Sequence, residues 1–144
     1  MPEPEKWAAL VPELDVTDLQ VSLDFYIRLL GFEVVFDRPE TRFAYVQLGA
    51  AQLMLDQIAE GAGWGKTGFR EYPFGRGINL QIEVSALEPM LTRLTEAEYP
   101  LCVEPEENWY RTGNVLSGAR EFLVQDPDGY LLRFSDHLGT KAQT

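Results

Sequence analysis

The amino-acid sequence predicts an α+β fold: two βαβββ modules that pair to form a curved-sheet cleft. Three observations carry that prediction. A strand-then-helix pattern occurs twice, because Leu87, Leu91 and Leu94 stand 68 positions after Leu19, Leu23 and Tyr26. Both helices open on a capping-box spacing, Thr17-x-x-Gln20 and Ser85-x-x-Glu88, which satisfies backbone amides left over in a first turn. After each helix the periodicity returns to that of strands, three times over.

Taken in order, Val11 to Val16 alternates as a strand, and Leu19, Leu23, Tyr26 and Leu30 then follow at helical spacing until Gly31 ends the helix. Strands are expected at Phe32 to Phe36, Arg42 to Leu48 and Gln52 to Asp56, the last two joined through Gly49-Ala50. The second copy runs from a strand at Asn79 to Val84 through a helix after Ser85 to strands at Leu101 to Val103, Glu121 to Gln125 and Tyr130 to Phe134. Asp126-Pro127-Asp128-Gly129 reads as the turn of a hairpin: Pro pre-sets one φ and Gly accepts a positive one. Ile58 to Arg76 and Glu104 to Ala119 break the symmetry and read as loops, either flanking a ligand or simply lying on the surface. Residues 1–144 thus form one domain, with module one at about 8–57 and module two at about 77–137.

Composition narrows the function classes. A chain of 144 residues that is 45% hydrophobic buries a real core. No apolar run is long enough to span a bilayer, and the first residues have neither the basic nor the apolar region of a signal peptide, so a cytoplasmic location and no membrane partner are expected. The net charge of −11 argues against nucleic acid and suits a cationic ligand. The lone Cys102 falls on an expected strand as a small buried hydrophobe. His137 is expected in the tail after the last strand, without a role.

Strand parity sorts the side chains. Pro12, Leu14, Val16, Leu53, Leu55, Leu80, Ile82, Val84, Leu132 and Phe134 make an apolar face for the helices. The opposite face carries Val11, Glu13, Gln52, Met54, Asp56, Asn79, Gln81, Leu131, Arg133 and Ser135. A one-sided antiparallel sheet has a wet polar face in any case; curvature would turn this one into a cleft.

Val11-Pro-Glu-Leu-Asp-Val-Thr-Asp, Ser22-Leu-Asp-Phe25-Tyr26, Leu30-Gly31-Phe32 and the closing Arg120-Glu-Phe-Leu-Val-Gln-Asp-Pro-Asp-Gly-Tyr130-Leu-Leu-Arg133-Phe resemble the vicinal-oxygen-chelate superfamily of glyoxalases, fosfomycin-resistance proteins, extradiol dioxygenases and bleomycin-resistance proteins. The resemblance covers nearly the whole chain and implies paired βαβββ modules. In metal-using members the ligands are His, Glu or Gln at the start of each module's first strand and Glu or a similar residue in its last. The matching positions here are Val11, Met54, Asn79 and Arg133. Val has no donor atom, Met is too soft for Mg²⁺, Mn²⁺ or Ni²⁺, and Arg repels a cation. No metal and no cofactor are therefore expected, although Glu13, Asp56 and Gln81 lie two residues away on the same faces.

Within the superfamily the resemblance is greatest to the bleomycin-resistance type, which pairs a Trp, here Trp109, with an Arg-Glu-Phe strand, here Arg120-Glu121-Phe122. It implies a homodimer, without catalytic residues, that sequesters bleomycin or a similar flat cationic antibiotic. Candidate ligand-binding residues are Glu13, Met54, Asp56, Asn79, Gln81, Trp109, Tyr110, Glu121 and Arg133, with Trp64 and Tyr72 as further wall candidates. In this reading Arg133 fills the vacated metal position and pairs with Glu13 or Glu121. The rival readings are a metal-dependent enzyme of glyoxalase or dioxygenase type and a small-molecule carrier or sensor.

Overall fold

A computed structural model describes residues 6–59 and 65–143. The chain divides into two compact units, Met1–Phe74 and Gly75–Thr144, each holding one βαβββ module.

In the first unit, β1 (Glu13–Val16) leads to α1 (Leu19–Leu23), which continues as a π-helical turn over Asp24–Leu29. β2 (Glu33–Arg38), β3 (Phe43–Leu48) and β4 (Ala51–Gln57) complete a sheet of order β1-β4-β3-β2. β1 lies parallel to β4, with Glu13 opposite Met54 and Asp15 opposite Asp56, while the rest is an antiparallel meander. The helix is capped by Asp18, one residue later than expected: its carboxylate accepts from the amides of Gln20 at 3.0 Å and Val21 at 3.3 Å. Gly31 ends the helix at φ 89°, as expected.

The second unit repeats the plan with β5 (Asn79–Glu83), α2 (Glu88–Glu96), β6 (Val103–Thr112), β7 (Val115–Gln125) and β8 (Leu131–Ala142) in the order β5-β8-β7-β6. α2 starts after Leu87 without a side-chain cap, so Ser85 and Glu88 do not form the expected box. The largest difference from expectation is Glu104 to Ala119, which is hairpin and not loop. β6 and β7 pair from Val103 opposite Leu123 to Thr112 opposite Val115, around a two-residue Gly113-Asn114 turn with Gly113 at φ 69°. β8 is correspondingly long, which puts His137 inside a strand opposite Ala119. Cys102 lies before β6 and is exposed, not buried.

The expected turn at Asp126 is present, and its side chain organises it. The Asp126 carboxylate is buried and accepts from the amides of Asp128 and Tyr130, both at 2.9 Å, which fixes the entry into β8.

In each unit the apolar parity faces the helix. Leu14, Val16, Leu53 and Leu55 are buried in the first unit with Phe25 and Tyr26, and Ile82, Phe122, Val124, Leu132 and Phe134 are buried in the second with Leu87, Met90 and Leu94. The far face of each sheet, turned from its helix, is left for other work.

Candidate functional site

On the far face of the first sheet the side chains are aromatic in the middle and acidic at one side. Phe36 stacks on Tyr45 across β2 and β3, with ring centroids 5.1 Å apart, and Phe43 lies 6.0 Å from Phe36. Val11 and Met54 pack against this cluster. Trp7 stands edge-on to Tyr45 at 5.2 Å and to Phe36 at 6.1 Å, and remains about half exposed. The Arg38 guanidinium lies 4.0 Å from the Phe43 ring centroid, so one ring face already holds a cation.

Gln52, buried on β4, fastens the amino-terminal segment to this cluster. Its Oε1 accepts from the Ala8 amide at 2.8 Å and the Tyr45 hydroxyl at 2.7 Å, and its Nε2 donates to the Lys6 carbonyl at 2.9 Å. The strap holds Trp7 over the rings. Burial raises the Tyr45 phenol above its ordinary pKa.

The acidic side consists of Glu13, Asp15 and Asp56. Glu13 is exposed, while Asp15 is buried between two cations: Lys66 bonds one of its oxygens and Arg70 the other at 2.9 Å. Lys66 also stands 3.9 Å from Asp56. The segment after β4 thus sends two positive charges to the carboxylates of the far face.

In the second unit the far face carries Asn79 and Gln81 on β5, Leu131, Arg133 and Ser135 on β8, Glu121 on β7, and Asn108 and Tyr110 on β6. Glu121 is 4% exposed; it accepts a short hydrogen bond from the Tyr110 hydroxyl and another from Asn108 Nδ2 at 3.1 Å. The bond to the Glu121 carboxylate, then burial, raise the Tyr110 phenol above its ordinary pKa, while the Arg133 charge pulls the other way. Arg133 forms no ion pair with Glu121 among the described residues, contrary to expectation; Tyr110 and Asn108 both bond Oε1 of that carboxylate. Its Nε is buried with no hydrogen-bond partner.

Trp109 is not on this face. It follows the opposite parity from Tyr110, pairs with Gly118 and lies against it, with Lys141 Nζ 3.9 Å from its ring centroid and its indole N–H donating to Glu107 at 2.9 Å. The two neighbours expected to line one groove point away from each other. Tyr72 is exposed, and Trp64 lies outside the described residues.

The positions matching the superfamily's metal ligands do not suit a hard divalent cation. Val11 and Met54 pack into the aromatic cluster, and Arg133 brings a positive charge. Among the described residues no three His, Cys, Asp or Glu side chains gather to hold a metal ion. Nor, among the described residues, is any helix long and apolar enough to cross a membrane.

Residues 11–134 match the Glyoxalase/Bleomycin resistance protein/Dioxygenase superfamily, and the chain belongs to that family. A superfamily member from Vibrio splendidus 12B01 is 34% identical over 88% of this chain and 95% of its own, with a TM-score of 0.40. TioX from Micromonospora sp. ML1 shares the fold at a TM-score of 0.70 and 22% identity, covering 92% of this chain and all of its own (100%). Virulence protein STM3117 from Salmonella typhimurium does so at 0.63 and 21%, covering 89% and 94%. No curated protein matches the chain.

Sequence reading missed Trp7, Phe36, Tyr45, Asn108, Lys66 and Arg70. Parity alone would have found Asn108, two residues before Tyr110 on the same strand face.

Proposed function

We propose that this protein is a metal-independent binding protein that sequesters bleomycin or a similar flat cationic antibiotic without turning it over, working as a cytoplasmic homodimer. The observation that carries the reading is Trp7, about half exposed over the Phe36-Tyr45 pair and on the same face as the carboxylates of Glu13 and Asp56. Aromatic rings offer stacking area to a planar ligand and their faces attract cations, as Arg38 over Phe43 illustrates. Exposed Glu13 at the edge, on a chain of net charge −11, complements a positive tail. Substitution of the usual ligand positions by Val11, Met54, Asn79 and Arg133 supports binding without metal chemistry.

Calorimetry with metal-free bleomycin tests the proposal. Saturable heat at micromolar drug is expected, and its absence at high micromolar drug would remove the antibiotic assignment. Elemental analysis of the purified protein addresses the rival: one Ni, Zn, Mn or Fe per chain would favour a glyoxalase- or dioxygenase-type enzyme.

A further inference from the structure

Arg133 carries a donor that the fold covers without giving it an acceptor. It stands on the far face of β8 opposite Gln81 on β5 and Leu123 on β7. Its Nε–H is buried and has no acceptor among the described residues. The one buried carboxylate on this face, Glu121, is bonded instead by Tyr110 and Asn108. A buried N–H of a charged group without an acceptor is costly, more so than a neutral one, and native structures keep few of them outside sites where something else supplies the acceptor.

The charge around it selects the kind of acceptor. Glu121 is within bonding reach of Tyr110, and Glu106 bonds the same Asn108 at 3.1 Å. Two carboxylates against one guanidinium leave this patch net negative. A free anion is repelled there, while a neutral carbonyl oxygen accepts from the guanidinium without bringing charge. The exposed amides of Asn79 and Gln81 beside it donate and accept in turn, which suits an amide better than an ester or ketone.

We infer that Arg133 is a specificity-determining residue whose guanidinium turns outward from its covered position to give its Nε–H to a neutral amide carbonyl of the bound molecule, with Gln81 beside it. The inference deepens the binding reading and rests on this face being a ligand surface. It does not require that the ligand be bleomycin.

Benzamide, benzoate and bleomycin serve as probes against the full chain. The Arg133 Nε–H resonance, identified by its loss in Arg133→Lys, should shift saturably with millimolar benzamide and less with benzoate. Arg133→Lys keeps the charge near Glu121 but removes the fork, so its melting temperature should hold. Its benzamide affinity, followed on the Gln81 backbone amide, should fall about tenfold, the size of a lost charge-assisted hydrogen bond. An unmoved Nε–H at saturating solubility of benzamide, equal affinity in Arg133→Lys, or tighter binding of benzoate would each overturn the inference. Bleomycin separates the two proposals: a benzamide response without drug binding sinks the antibiotic reading alone, and drug binding that leaves the Nε–H unmoved sinks only the assignment of Arg133.

Discussion

The indole of Trp109 lies so close over Gly118 that a Cβ added to the glycine would come within 2.6 Å of its ring. Across the antiparallel β6–β7 pair the ring rests on bare backbone, and Lys141 completes the packing. Gly118→Ala must push the indole aside. A loss of about 1–3 kcal/mol is expected, the usual cost of overpacking, with a change in Trp fluorescence. An unchanged urea midpoint would show that the ring moves freely.

The same packing revises what Trp109 does for a ligand. Trp7→Ala should weaken bleomycin binding by about 1–3 kcal/mol, a range taken from stacking of bases on aromatic side chains. Trp109→Ala should change affinity little while lowering stability. Calorimetry and thermal melting on both variants check this, and a reversed pattern would return the stacking role to Trp109.

Asp15→Asn leaves Lys66 and Arg70 facing a neutral amide in a mostly buried setting. Breaking a fully buried pair costs more than this partly solvated one, so about 2 kcal/mol is expected from urea denaturation. The double variant Asp15→Asn with Lys66→Met should recover part of it, because the stranded charge is gone.

Tyr110 ties stability to alkaline pH. Its phenol titrates above the ordinary 10.0 in the fold because ionisation would lose the hydrogen bond it donates to Glu121, then because of burial, and then because two negative charges would stand together. The contribution is complete below the unfolded pKa and is lost as pH rises through the folded one. The stability gap between wild type and Tyr110→Phe should therefore shrink between pH 9 and pH 11 or so. A gap constant across that window would mean the phenol is not coupled to Glu121.

Much of this architecture is legible in the sequence because it repeats. The 68-residue offset, the Gly49 and Asp126 turns and the apolar parity all survive in the structure. The failures have identifiable causes. β6 is an edge strand whose residues are mostly exposed, so it lacks the apolar alternation that marks a strand, and the Gly113-Asn114 signal went unused. Asp18 displaced Thr17 as cap because its carboxylate reaches two amides. At the site, parity correctly grouped Glu13 with Met54 and Gln81 with Arg133, and applied to β6 it would have separated Trp109 from Tyr110. Lys66 and Arg70 were beyond reach, since their pairing with Asp15 depends on the path of a long connection. Trp7 was too, because its placement depends on Gln52, 44 residues from the Ala8 amide it binds.

That tether at Gln52 has a practical side. The residues it clamps are Lys6 to Ala8, so a purification tag fused ahead of them would be led towards this face. A basic or His-rich tag there would sit next to aromatic rings and carboxylates, mimicking the very cations an assay sets out to detect. Affinities measured on amino-terminally and carboxy-terminally tagged protein should differ until the tag is cleaved, and the untagged chain is the proper reference for both.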